Sequence, residues 1–236
     1  MNVQVKNPTM IDDGYEIISL YSPQEFAKIK KFALDWITTL FEQNSSSYLD
    51  EERLKTYHEW GGKESVPHSL ILSAKNRHCS PPENIKEIIV NSSLVEILER
   101  LGLSKHSLWD EGLGWLAFRL IRPNHGDGYP FSCKAWGPAT KVYSIWLPIV
   151  SFSPDVFLKL IPGSHNNTYE KYLPENSKFT KDEYRLVNDP PEHETIRPVV
   201  RPGSAIIYHP YTMHTEDILH GNETRFNLEF RVLPHD

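Results

Sequence analysis

The sequence predicts a mainly β protein with a layer of helices at its N-terminus, built as a single domain over its 236 residues. Three observations lead there. From Gly112 onward, short apolar or alternating runs are punctuated by turn residues, the pattern of a β-sandwich or barrel. Before it, residues 1–111 carry apolar spacing of helical period and helix start signals. A hydrophobic share of 39%, with 6 Trp, 11 Tyr and 10 Phe, supplies a core for one domain of this length.

The helical layer opens at Ser22-Pro23-Gln24-Glu25, a capping box with proline at the first helical position. Phe26, Ile29, Phe32, Ala33, Trp36, Ile37, Leu40 and Phe41 follow as one stripe, so a helix is expected over 23–42. The polar run Asn44 to Ser47 ends it. Residues 55–80 are rich in Gly, His and Pro and read as irregular, with a short strand at 69–74. Pro81-Pro82 opens a second helix through Val90, and Ser93 caps a third that stops at Gly102. In the β half, strands are expected at 115–121, 142–149, 156–161, 196–200, 205–208 and 225–232. Residues 166–191 are polar and read as a long loop over one end of the barrel.

Composition narrows the function. Lys and Arg number 25 against 31 Asp and Glu, a formal charge of −6, which is not the basic footprint of a nucleic-acid binder. Cys79 and Cys133 are too few for a disulfide framework and lack zinc-site spacing, so both are expected as thiols. Residues 1–14 show no apolar leader core and no run approaches the length of a membrane span, so a cytoplasmic protein with no membrane partner is expected.

The candidate chemistry lies in the β half. His125-Gly126-Asp127 follows a strand, and in an extended chain residues two apart face one side. The same spacing recurs in His214-Thr215-Glu216, and two such pairs are about what composition alone delivers. Two His and one carboxylate on one side of an ion leave three positions open, which suits non-haem Fe(II) handling O2, with zinc as the competing occupant. Arg225 stands eleven residues past His214 and opens the last strand; a guanidinium fork there suits a dicarboxylate. His220, with Arg231 eleven residues on, is the rival to His214, and His209 a weaker one. His165 reads as structural.

From Leu116 to Val232 the pieces fall in a known order: His125-Gly126-Asp127, Ile145-Trp146-Leu147-Pro148, Leu158 to His165, Pro202 to His209, and His214 with Arg225 to Arg231. In this the sequence resembles the phytanoyl-CoA dioxygenase-like branch of the Fe(II)/2-oxoglutarate-dependent oxygenases. The resemblance implies a double-stranded β-helix, a cupin-like jelly roll, in residues 112–236. It implies His125, Asp127 and His214 as catalytic metal ligands and Arg225 as the 2-oxoglutarate clamp. Trp146 would line the co-substrate pocket with Ser144 beside it. The cofactors implied are Fe(II), 2-oxoglutarate and O2. The sequence departs from the family at Glu216, where relatives often carry Ser or Thr. Retention of Asp127 favours hydroxylation over halogenation. The expected substrate is a small polar or anionic metabolite such as a sugar acid, sugar phosphate or amino acid, from basic and aromatic residues (Arg77, Lys134, Trp136, Tyr169, Lys171, Lys178, Arg185) in the surrounding segments. Two alternatives remain open: a zinc or manganese cupin-like hydrolase or isomerase, and a jelly roll that binds a ligand without turnover.

Overall fold

The computed structural model describes residues 8–42, 49–61, 68–110, 112–125, 127, 130–134, 142–153, 158–167, 169–172, 183–215 and 221–235. Two antiparallel sheets form the β half. The larger runs in the order β1 (Tyr15–Ser19), β10 (Ser204–Tyr208), β6 (Tyr143–Val150), β12 (Arg225–Pro234), β4 (Leu116–Ile121), β2 (His78–Cys79), with β3 (His106–Leu108) also on β12. The smaller runs β7 (Lys159–Leu160), β11 (His214–Thr215), β5 (Ser132–Lys134), β9 (Glu183–Leu186), β8 (Lys171–Tyr172). Trp146, Ile206, Tyr208 and Tyr15 of the larger sheet pack against Leu158 and Leu160 of the smaller side, so the sheets face one another as a jelly roll.

Alternation along each strand of the larger sheet divides core from interior. Phe226, Leu228 and Phe230 of β12, Ile145, Leu147 and Ile149 of β6, and Leu116, Phe118 and Leu120 of β4 all belong to the core that the helices cover. The helix α1 (Pro23–Glu42) lays Phe26, Ile29, Ala33, Ile37 and Phe41 on that surface. Its start is the predicted capping box: the Ser22 backbone N–H donates to Glu25 Oε2 at 2.8 Å, and the Glu25 N–H donates back to Ser22 Oγ at 3.3 Å. Trp36 meets Phe118 edge-on, with ring centroids 4.9 Å apart. Each fully buried large apolar side chain here contributes about 1.5–3 kcal/mol.

The helix at Pro23–Glu42 and the strand cores at Leu116–Ile121, Tyr143–Val150, Ser204–Tyr208 and Arg225–Pro234 agree with the sequence reading. Four expectations are corrected. Residues 69–74 are not a strand: α4 (His68–Ile71) and a turn occupy them, followed by α5 (Ala74–Arg77), and α2 (Glu51–Lys55) and α3 (Tyr57–Trp60) precede them. The third major helix, α7 (Ser92–Arg100), is capped by Asn91, whose side chain accepts from the Leu94 N–H at 3.0 Å. The helix before it, α6, is Glu83–Ile89. Residues 196–200 make one bridge, Leu160 to Ile196, and no strand; Pro198 removes a ladder donor there. The polar 166–191 segment contains β8 and β9, paired antiparallel, with Arg185 opposite Ser132 of β5. Their pairing partners lie far along the chain, which the polar sequence of the segment does not signal. The 156–161 run keeps only Lys159–Leu160 as strand among its described residues, and the end of α1 after Glu42 lies outside the described residues.

Gly114 enters β4 at φ +122°, and a Cβ there would stand 2.1 Å from the Cys79 carbonyl carbon on the neighbouring strand β2. Gly114→Ala should therefore cost at least ~2 kcal/mol of unfolding free energy, read by urea denaturation; an unchanged midpoint would contradict this packing.

His209 follows β10, with its ring 5.3 Å from that of His165 and 5.5 Å from that of Tyr143. Burial, and then the neighbouring His165, hold its pKa down at about 4 from 6.5. Between these values the unfolded chain takes up a proton that the folded one refuses, so stability falls as pH drops from 6.5 to about 4 and levels below it. The slope of Tm against pH over that window should flatten in His209→Gln.

Candidate active site

The inner face of the larger sheet is polar where the strand alternation aims it away from the helices. On β12 this face carries Arg225, Asn227 and Glu229, which are 0%, 0% and 3% exposed. Their neighbours in register are Ile121 for Arg225, Arg119 and Pro148 for Asn227, and Ala117 and Trp146 for Glu229. Burying these charges requires partners. Glu229 accepts from Arg119 Nε at 3.1 Å and lies 3.5 Å from Arg231 Nη2. Arg225 sits with its guanidinium carbon 5.7 Å from the Trp146 ring centre, a cation held against an aromatic face. Ser144, also buried, lies two residues before Trp146, opposite Tyr208 and Arg231. The inner faces of β4 and β12 thus hold Arg119, Arg225 and Arg231 with one carboxylate, Glu229, which favours an anionic guest.

His214 stands on the opposite wall, in the smaller sheet, 4% exposed, with its ring centroid 4.7 Å from that of Tyr208. Its Nδ1 donates to the Thr212 carbonyl at 2.9 Å, which leaves the Nε2 lone pair as the ligating one. Directly across the strand pair from His214 are Leu160 on one side and Ser132 on the other.

His125 and Asp127 lie in the segment that follows β4. Asn124 takes φ +59°, so the chain turns after β4 just before His125. His125 is exposed, with Nδ1 on the Pro123 carbonyl at 2.6 Å. Asp127 faces Arg122, which donates through Nε to Oδ2 at 2.8 Å, through Nη2 to Oδ1 at 2.9 Å, and through its backbone N–H to Oδ2 at 3.0 Å. His68 Nε2 lies 3.3 Å from the same Oδ2, and its Nδ1 is 2.9 Å from the Tyr57 hydroxyl. Burial alone would raise the Asp127 pKa, but Arg122, His68 and the Arg122 backbone outweigh it and hold the carboxyl well below the usual range. Among the described residues no three His, Cys, Asp or Glu side chains gather to hold an ion. Of the three expected ligands, His214 is buried on β11, Asp127 is held by Arg122, and His125 is exposed. Glu216 and His220 lie outside the described residues.

Of the expected pocket residues, Arg185 lies in register beyond Ser132, Tyr169 packs with Phe131 and Met213, and Arg77 ends α5. Trp136 and Lys178 lie outside the described residues, as do the side chains of Lys134 and Lys171. His165 is structural as expected, its Nε2 on the Ile11 carbonyl at 3.1 Å. Sequence reasoning missed Asn227 and Glu229, although Arg-Phe-Asn-Leu-Glu-Phe-Arg alternates strictly. It also missed the Arg122–Asp127 pair, for which no local signal exists.

Residues 123–216 match the family model described as Phytanoyl-CoA dioxygenase (PhyH). No curated protein matches the chain. Among solved structures, EvdO2 from Micromonospora carbonacea var. aurantiaca, complexed with 2-oxoglutarate, aligns at 14% identity and TM-score 0.61 over 96% of this chain and 88% of its own. EctD from S. alaskensis, with 2-oxoglutarate and 5-hydroxyectoine, aligns at 14% identity and TM-score 0.58 over 95% and 73%. The epimerase SnoN, in complex with Fe3+, alpha ketoglutarate and nogalamycin RO, aligns at 14% identity and TM-score 0.58 over 95% and 80%. These likenesses give the fold, the double-stranded β-helix of that group. With the family match over residues 123–216, they make the chain similar to phytanoyl-CoA dioxygenase-like proteins.

Removing the charge of Asp127 leaves Arg122 half-buried without its carboxylate. Asp127→Asn should lower unfolding free energy by about 2–4 kcal/mol, and Asp127→Leu with Arg122→Met should recover part of it in urea melts. Equal stability of wild type and Asp127→Asn would contradict the anchoring role.

Proposed function

We propose that this chain binds 2-oxoglutarate on the inner wall of its barrel and hydroxylates a C–H bond of a small polar or anionic metabolite, with release of succinate and CO2. The observation that carries this is Arg225, fully buried at the start of β12, with its guanidinium against Trp146. A bidentate fork in a low-dielectric wall is the arrangement that selects a carboxylate. Trp146 packs beside the acid's carbon chain and keeps water off it, and Ser144 lies next along the same strand face. His214 has the burial and the tautomer of a metal ligand. Arg119, Glu229 and Arg231 support a polar substrate, because an apolar guest would gain nothing from a wall of paired charges.

Hydroxylation is the finer part of this reading, since relatives of the fold carry the names monooxygenase, epimerase and carbocyclase. A non-catalytic binding role is the second reading, favoured by the absence, among the described residues, of three His, Cys, Asp or Glu side chains gathered around one point. The test is succinate formation from 2-oxoglutarate under O2 with added Fe(II), across sugar acids, sugar phosphates and amino acids. The expected outcome is turnover with one of these classes and a 10- to 100-fold loss of kcat/KM for 2-oxoglutarate in Arg225→Gln, about the value of one or two charge-assisted hydrogen bonds. Binding of 2-oxoglutarate with no succinate under any condition supports the second reading; succinate formation indifferent to Arg225→Gln contradicts the assignment.

A further inference from the structure

We propose that Thr224 is a positioning residue for the co-substrate site, and that through it α2 and α3 of the helical layer set how tightly the interior takes 2-oxoglutarate. This rests on the reading of Arg225 as the residue that receives the acid.

Arg225 needs holding from outside its own strand. It is the first residue of β12, and its pair with Ile121 is the terminal rung of the ladder to β4. On the other side, register with β6 begins only at Phe226, opposite Val150, and shifts between Phe226 and Asn227. A ladder with its end and an irregularity so close together holds this residue weakly. Arg225 is nonetheless fully buried, with its guanidinium carbon 5.7 Å from the Trp146 ring centre. A planar fork meets a carboxylate bidentately only from a fixed direction.

Thr224 supplies the hold. It is fully buried, and its N–H donates to the Lys55 carbonyl at the end of α2 at 2.8 Å. Its Oγ1 accepts from the His58 N–H of α3 at 3.1 Å and stands 3.1 Å from His58 Nδ1. With Oγ1 already accepting, its own hydrogen goes to the Nδ1 lone pair. The Thr224 carbonyl accepts from Ser151 Oγ at 2.8 Å. Ser151 follows β6, is 1% exposed and takes φ +69°, a backbone state uncommon for a residue with a Cβ. Such a residue is held there by its surroundings, and residues of this kind gather at functional sites. The end of β6 and the helical layer thus grip Thr224 together, one peptide away from Arg225. Without the Thr224 hydroxyl, the start of β12 is left for the incoming acid to order, and that cost is taken from its affinity. The reacting centre is untouched, so the effect falls on KM and not on kcat.

The test is anaerobic titration calorimetry with 2-oxoglutarate in the presence of Fe(II), paired with succinate formation at varied 2-oxoglutarate. Thr224→Val keeps the shape and removes the hydroxyl; Kd and KM for 2-oxoglutarate should rise about fivefold or more, with kcat within about twofold. Thr224→Ser restores the hydroxyl and should stay within about twofold of wild type in all three. His58→Leu removes the Nδ1 partner alone, should raise Kd about threefold, and decides the matter if Thr224→Val does not fold. Gly114→Ala strains the chain just before β4, beyond the Leu116–Phe230 rung at the other end of the β4–β12 ladder, and should leave Kd unchanged. Kd values within about twofold of wild type in both Thr224→Val and His58→Leu overturn this inference and leave the proposed function intact. A kcat that falls as far as kcat/KM also overturns it, because the loss then lies in turnover. Binding of 2-oxoglutarate that is indifferent to Arg225→Gln overturns the reading of Arg225, and this inference with it.

Discussion

The two faces of β12 organise this molecule. Its even-numbered residues Phe226, Leu228 and Phe230 are core, packed with α1 and the flanking strands; its odd-numbered residues Arg225, Asn227 and Glu229 are polar and equally buried. A strand that buries both faces in a soluble domain needs a second layer on each side, and the helices supply one and the smaller sheet the other. Because side chains alternate with a period of two, a slip of one residue would drive Arg225 into the helical core and Phe226 into the interior. Pairing with β6 on one side and β4 on the other, over most of the strand's length, resists such a slip.

Buried charge is then handled by two different means. Within the barrel, Glu229 is shared by Arg119 and Arg231, an arrangement contained in the larger sheet. Outside it, Asp127 and Arg122 form a bidentate pair that reaches through His68 to Tyr57, so the same kind of interaction becomes a link between layers. Pairs of this sort are weak sources of stability and strong penalties when broken. Their effect is to fix which partner each group faces. That fixing is what holds Asp127 beside Arg122, while pairing with Ser132 and Leu160 places His214 on β11.

Much of the fold was legible. The capping box at Ser22 and Glu25 and the apolar stripe behind it located the start of α1, and apolar or alternating runs bounded by turn residues located β6, β10 and β12. Strands of two to five residues with mixed polar content, such as β1, β2, β5 and β9, escaped because their stability comes from partners distant in sequence: Tyr15–Ser19 is a strand because Ser204–Tyr208 lies beside it. That Arg225 and Trp146 stand together was legible because family order and strand position coincide there. The His125-Gly126-Asp127 spacing was less informative. Same-side geometry requires an extended backbone, and Asn124 in the left-handed region puts a turn just before His125. What Asp127 binds is set by Arg122 in sequence and by His68 in space, the latter a contact across 59 positions that no local pattern encodes.

The account's central claim is that the polar face of β12 is a wall for a dicarboxylate. A crystal structure of the protein soaked with 2-oxoglutarate tests it most directly. The account predicts one carboxylate of the acid on the Arg225 guanidinium, the Trp146 ring beside its carbon chain and the Asn227 amide within hydrogen-bond distance. A dicarboxylate bound elsewhere, or an interior that stays closed to it with Arg225 engaged by the protein's own carboxylates, would contradict the claim.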